Sequence, residues 1–137
     1  TFIIINAELD FPAHKGILIS DDPFRDYNKL VNRYYETQPV MGHGSARGNH
    51  VEVGEDTVIM HNVFLGDRVK IGNNCKIYPN VVIYADTHIG DNVIIHANSV
   101  IGADAFYFKK RPEGYDKLYS CGRVIIHNHV EIGASCT

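Results

Sequence analysis

An aliphatic residue stands at every sixth position from Val53 to Ile101: Val53, Ile59, Leu65, Ile71, Ile77, Ile83, Ile89, Ile95 and Ile101. Two positions before each lies a small or β-branched residue: Val51, Thr57, Val63, Val69, Cys75, Val81, Thr87, Val93 and Ser99. One position earlier runs a third column, His50, Asp56, Asn62, Arg68, Asn74, Asn80, Asp86, Asn92 and Asn98, in which Asn and Asp predominate. Strands repeat every two residues and helices about every 3.6, so an unbroken step of six fits neither. Its physical form is a short flat strand followed by a tight corner. The aliphatic and small residues share the inward face of the strand. Asn and Asp suit the corner because they reach positive φ at lower cost than other residues with a side chain. Three such sides close a triangular coil, and stacked coils share parallel hydrogen-bond ladders. Residues 51–102 are therefore expected to form nearly three coils of a parallel β-helix.

The pattern stops after Gly102 and resumes at Val124-Ile125-Ile126 and Val130-Glu131-Ile132-Gly133. Residues 103–123 read as an inserted loop, and loops that interrupt a rigid scaffold often carry binding residues. The start of the chain differs in kind. Phe2–Ile5 and Gly16–Ile19 have strand composition. Asp22 and Pro23 then form an N-cap and first helical position, followed by Phe24, Tyr27, Leu30, Val31 and Tyr34 at helical spacing. The expected organisation is a ββα remnant of an α/β domain over residues 1–40, a linker over 41–50, and the β-helix over 51–137.

A net charge of −3 gives no reason to expect nucleic acid as a partner. No apolar run approaches the roughly 20 residues that cross a bilayer. The short run Thr1-Phe2-Ile3-Ile4-Ile5 lacks the basic leader of a signal peptide. Cys75, Cys121 and Cys136 are odd in number and have no CxxC spacing, which points to free thiols in a reducing cytoplasm. The absence of an initial methionine, and the stop at Thr137 within a repeat, suggest a chain cut at both ends.

Three elements inside the hexads carry a more specific likeness. Ile101-Gly102-Ala103-Asp104-Ala105-Phe106-Tyr107-Phe108 is close to a motif I/V-G-A-D-G-F-G-F/Y. Gly114-Tyr115-Asp116-Lys117 matches G-Y/W-x-K, and Gly122-Arg123-Val124-Ile125-Ile126 leads into Val130-Glu131-Ile132-Gly133-Ala134-Ser135-Cys136-Thr137 as in G-R-V-I-I-x-x-x-V-E-I-G-A-x-T/C-T. In this order they resemble UDP-3-O-acylglucosamine N-acyltransferase, a hexapeptide-repeat enzyme of lipid A biosynthesis. The Asp-Pro-Phe before the first helix is similar to the end of that family's uridine-binding domain. The resemblance implies a left-handed superhelix and a cytoplasmic homotrimer. It also implies transfer of a 3-hydroxyacyl group from the phosphopantetheine arm of an acyl carrier protein to the 2-amine of a UDP-amino sugar. The product would be a membrane lipid precursor, made by a protein that itself has no membrane span and binds no cofactor. The family's catalytic histidine lies in a later coil, beyond Thr137, so no catalytic residue is expected in this chain and the fragment alone is expected to be inactive. Substrate contacts are expected from Asp104, Phe106, Tyr107, Tyr115 and Lys117.

The sequence also departs from the family pattern. Ala105 and Tyr107 replace two glycines, and Leu118-Tyr119-Ser120 stands where the family has I-P-Q, which makes the loop bulkier. A paralogue with a different acyl chain or sugar, another hexapeptide acyl- or acetyltransferase on a nucleotide sugar, and a non-catalytic β-helix module are the alternatives. Metal chemistry finds little support. His61, His88, His96, His127 and His129 occupy different places in the hexad and form no single line, whereas a trimeric zinc carbonic anhydrase on this fold would need three histidines meeting around the metal at a subunit interface. The Asn/Asp column resembles a calcium ladder, but turn chemistry explains it with fewer assumptions. In the insertion, Phe106, Tyr107, Phe108, Tyr115 and Tyr119 lie among Lys109, Lys110, Arg111, Lys117 and Arg123. They read equally well as the edge of a substrate cleft or as a lid with solvated lysines.

Overall fold

The computed structural model describes residues 2–6, 16–34 and 41–137. The chain forms two compact units, residues 1–37 and 38–137. In the first, Phe2–Ile5 and Gly16–Ile19 pair as parallel strands, and a helix follows over Pro23–Tyr34. The helix starts where its capping residues require. The Asp22 carboxylate accepts a hydrogen bond from the Arg25 amide at 3.0 Å, and Pro23 occupies a first-turn position whose amide would have no partner in the helix. The buried Ser20 hydroxyl donates to Asp26 at 2.6 Å. That bond, and a second from Lys29, hold the Asp26 carboxyl below the usual carboxylate range. Phe24 and Tyr27 are exposed, whereas Leu30 and Val31 are half-buried.

The second unit is a left-handed parallel β-helix with three flat faces. The first stacks Ala46–Arg47, Phe64–Leu65, Val82–Ile83 and Val100–Ile101. The second stacks Glu52–Val53, Lys70–Ile71, His88–Ile89 and Ile125–Ile126. The third stacks Val58–Ile59, Lys76–Ile77, Ile94–Ile95 and Glu131–Ile132. Each strand is only two residues long, so inter-coil hydrogen bonds such as Glu52 N to Val69 O (3.0 Å) and Gly72 N to Ile89 O (2.9 Å) supply the ladder. Leu65, Ile77, Ile83 and Ile95, with Val63, Val69, Val81 and Val93, are fully buried and make one continuous inner core.

Residues 41–50, expected as a linker, belong to the β-helix instead. Ala46–Arg47 pairs with Phe64–Leu65, Met41 bridges Ile59, and Gly44 takes a corner with φ +74°. The hexad is hidden there because Arg47 occupies the aliphatic position. That position is exposed in this coil, and the guanidinium reaches the Val51 carbonyl at 2.7 Å.

The corners explain the third sequence column. His50, Asp56, Asn62, Arg68, Asn74, Asn80, Asp86, Asn92, Asn98, His129 and Ser135 all have φ between 54° and 63°. Asn80 donates to Asn98 at 3.1 Å, and Arg68 meets Asp86 through two hydrogen bonds of 2.7 and 2.8 Å. A further column, one residue before the corner, was not evident in the sequence. Asp67, Asn73, Asp91 and Asn128 each accept a hydrogen bond from the backbone amide of the coil before, at 2.7 to 2.9 Å.

The polar members of the small inward column follow one rule. Thr57 donates to the Gly72 carbonyl at 2.7 Å and accepts from the Cys75 amide at 3.0 Å. Ser99 does the same with Gly133 and Cys136 at 2.7 and 3.2 Å. Thr87 is fully buried, yet its hydroxyl has no partner among the described residues. By the same rule it would use Gly102 and Val124, the two residues at which the coil is interrupted. Its stacked neighbours on that face, Val51, Val69 and Val124, are all valines. Thr87→Val is therefore expected to raise stability by about 1–2 kcal/mol, since it removes a buried hydroxyl that lacks a hydrogen bond. Thr57→Val should act in the opposite sense, because it strands the Cys75 amide. The urea midpoints of the two variants, moving in opposite directions, would test this; a lower midpoint for Thr87→Val would contradict it.

Candidate functional site

Among the described residues the hexads are interrupted once. Ile126 follows Ile101 by 25 positions where an unbroken side takes six, so 19 extra residues leave the coil before it resumes against His88–Ile89. The departure point is Gly102, with φ +81°. A Cβ there would stand 3.2 Å from Thr87 Oγ1 and 3.4 Å from Tyr84 Cβ, so both backbone and space favour glycine. The coil resumes at Val124, whose carbonyl accepts from the His88 amide at 2.9 Å.

Between these points the chain forms a hairpin. Phe108–Arg111 pairs antiparallel with Gly114–Lys117 across a turn at residues 112–113. Phe108 lies opposite Lys117, and Lys110 opposite Tyr115. Alternation places these four on one side and Lys109, Arg111 and Asp116 on the other. Arg111 and Asp116 form an ion pair at 2.8 Å.

The foot of the hairpin is clamped. Lys117 Nζ lies 2.7 Å from Asp104 Oδ2, and the Ser120 amide donates to Asp104 Oδ1 at 3.3 Å. The Leu118 amide donates to the Tyr107 carbonyl at 3.0 Å, and the Lys117 ammonium sits 5.1 Å from the centre of the Tyr119 ring. Lys117 holds the Asp104 carboxyl below the usual carboxylate range, and Asp104 in turn raises Lys117. A pair this open to water adds little stability; what it fixes is where the outgoing and returning legs meet.

The pH dependence follows from those directions. Because the folded Asp104 pKa is depressed, its contribution is present above the unfolded carboxylate value and is lost only as pH falls through the depressed one. Lys117 is raised, so its contribution persists until pH climbs past its folded value. The clamp should thus hold through the neutral range and open in acid. The Ser120 amide chemical shift is expected to titrate with a midpoint below that of an ordinary aspartate, and to lose that step in Asp104→Asn. A midpoint at or above the ordinary value would contradict the clamp.

A cavity of about 140 Å³ lies at the root of the insertion. Ala85 and Val124 contribute from the coils, Gly102 and Ala103 from the outgoing leg, and Ser120, Gly122 and Arg123 from the returning leg. Arg123 also acts on Asp86, whose carboxyl is held low first by its hydrogen bonds to Arg68 and then by the positive charges of Arg68 and Arg123. Of the five residues expected to contact substrate, Asp104 and Lys117 are brought together at the foot. Phe106, Tyr107 and Tyr115 are exposed on the hairpin and its approach and do not line the cavity. Ala85 escaped the sequence reading, although one coil of 18 residues places it directly beneath Ala103.

The histidines have neighbours of structural character. His43 and His61 stack at 5.9 Å, and His96 stacks on Tyr78 at 4.8 Å while its Nε2 lies 2.7 Å from Glu131. Among the described residues no three His, Cys, Asp or Glu side chains converge as metal ligands would. Cys75 is buried, its thiol raised by desolvation, and Cys121 and Cys136 are exposed; all three are free. No helix among the described residues is long and apolar enough to cross a membrane.

Comparison with known proteins agrees with this architecture. Residues 50–85 and 68–103 match the family described as bacterial transferase hexapeptide (six repeats). No curated protein matches the chain. The repeat over residues 50–103 is thus similar to that of bacterial hexapeptide transferases.

Proposed function

We propose that this hexapeptide β-helix belongs to an N-acyltransferase that moves a 3-hydroxyacyl group from acyl carrier protein to the 2-amine of a UDP-3-O-acylglucosamine in lipid A biosynthesis. The observation that carries this reading is the insertion. The residues that resemble the family's motif, Gly102 to Phe108, Tyr115 and Lys117, lie where the hexads are interrupted among the described residues, and two of them, Gly102 and Ala103, line a cavity. In the reaction, the amine nitrogen attacks the thioester carbonyl, a base takes the amine proton, and the carrier thiolate leaves and is protonated. The base would come from a later coil, and the oxyanion would be held by backbone amides. This chain's share is positional. The Asp104–Lys117 clamp holds the two legs of the insertion together at its foot, Arg123 supplies positive charge at the cavity for a phosphate-bearing acceptor, and the exposed rings border the path of an acyl or pantetheine chain.

The test is to incubate the gene-length protein, as a homotrimer if it assembles so, with 3-hydroxyacyl carrier protein and UDP-3-O-acylglucosamine. The N-acylated product is then sought by mass spectrometry. Product formation is the expected result. No product from folded protein, with transfer instead from acetyl-CoA to a nucleotide sugar, would replace this reading with the acetyltransferase one. No transfer from either donor would favour a non-catalytic module.

A further inference from the structure

We propose that the hairpin of the insertion is a docking finger for an anionic lipid surface, independent of the acyl-transfer reading. Three observations converge on it.

The first is exposure. Phe106 is 96% exposed, Tyr119 76% and Tyr115 71%, with Tyr107, Phe108 and Leu118 also exposed. Phe106 and Phe108 meet edge to face at 5.2 Å, so these rings form a cluster and do not fold back on the coil. A soluble surface seldom gathers large apolar side chains in this way without a use for them.

The second is charge. Residues 103–123 carry Lys109, Lys110, Arg111, Lys117 and Arg123 against Asp104, Glu113 and Asp116, a balance of +2 in a chain of −3. Ion pairs remove Arg111 with Asp116 and Lys117 with Asp104. Lys109 and Lys110 have no ion-pair partner among the described residues and stand near the hairpin tip.

The third is the register. Phe108, Lys110 and Tyr115 share one side of the hairpin, so a cation stands among rings on a single surface. Aromatic side chains settle at the headgroup level of a bilayer, and lysines extend from there to lipid phosphates. An acidic protein would satisfy the lysines but would leave this wide apolar surface without a stated role.

The experiment is co-sedimentation of the chain with vesicles of phosphatidylglycerol and phosphatidylethanolamine, compared with vesicles of phosphatidylcholine alone. Binding to the anionic vesicles is expected, weakening with salt. K109A/K110A should reduce it by about 25-fold, at about fivefold per lysine. F106S should reduce it by about tenfold, because a ring that would enter the interface is lost. Both changes lie on the exposed insertion, so unaltered circular dichroism and urea midpoints would show that the β-helix is intact. Equal partition onto both vesicles, or none onto the anionic ones, would overturn the proposal. So would salt-sensitive binding that ignores F106S, which would mark the lysines as a site for an acidic protein. Loss of self-association in F106S with vesicle binding unchanged would assign the rings to a second copy of the chain, and that also overturns it.

Discussion

Replacing Ile77 by alanine is expected to lower the stability of the β-helix by about 2–5 kcal/mol, the range for removing most of a buried aliphatic side chain. Ile77 is fully buried and is paired in register with Ile59 on one side and Ile95 on the other. The hole would therefore open in the middle of a stacked column. It cannot close by side-chain rotation, because two-residue strands between tight corners leave the backbone little room to collapse. A stacked array adds a second consequence: each coil is stabilised mainly by its neighbours, so a defect in a central coil weakens the interfaces on both sides. Ile132, only half-buried, is the internal control, and Ile132→Ala should cost clearly less. Ile77→Val, which removes a single methyl group, should cost about 0.5–1.5 kcal/mol. Urea unfolding followed by circular dichroism gives the three values. Equal losses for Ile77→Ala and Ile132→Ala would show that burial in the central column does not set the stability of the stack.

What the sequence revealed, and what it hid, divides along one physical line. Each side of a coil imposes three demands at fixed spacing: an inward aliphatic, an inward small residue, and a corner that reaches positive φ. Those demands are local, so Val53 to Ile101 could be read directly. The coil at residues 41–50 could not, because Arg47 meets the aliphatic demand only by turning its guanidinium to the Val51 carbonyl. The Asn/Asp column of Asp67, Asn73, Asp91 and Asn128 was missed for a different reason. Each of these side chains serves an amide of the preceding coil, far away in sequence. The boundaries of the insertion were visible, since Gly102 and Val124 bracket the lost period. Its interior was not. The pairing of Asp104 with Lys117 depends on the register of a hairpin that sets Phe108 against Lys117, and no repeat dictates that register. The unpaired Thr87 hydroxyl is the trace the interruption leaves inside the coil, and only the bonding rule followed by Thr57 and Ser99 makes it recognisable.

Gly72→Ala is expected to destabilise the β-helix by about 3 kcal/mol or more, toward the upper end of what overpacking costs. Conformational freedom is not the reason, since Gly72 is not among the residues with positive φ. The reason is proximity: a Cβ on Gly72 would meet the carbonyl carbon and oxygen of Gly90 at 2.7 Å each, closer than side-chain carbons approach such atoms. Those are backbone atoms of the next coil, and no rotamer change moves them aside. The coils would have to part at that corner. The bonds at risk are Gly72 N to Ile89 O at 2.9 Å, Thr57 Oγ1 to Gly72 O at 2.7 Å and Cys75 Sγ to Gly90 O at 3.1 Å. Gly122→Ala supplies the contrast. Nothing lies within 4 Å of a Cβ there, so the substitution should be neutral or stabilise slightly, by about 0.4–1 kcal/mol, through the lower entropy of the unfolded chain. Both variants exchange the same two groups, so composition and hydrophobicity cancel and only the distance to the neighbouring coil differs. If Gly72→Ala unfolded at the same urea midpoint as Gly122→Ala, the coils would have to separate by tenths of an ångström without cost. A ladder carried by two-residue strands would not allow that, and the glycine that follows Ile71 would then need another explanation.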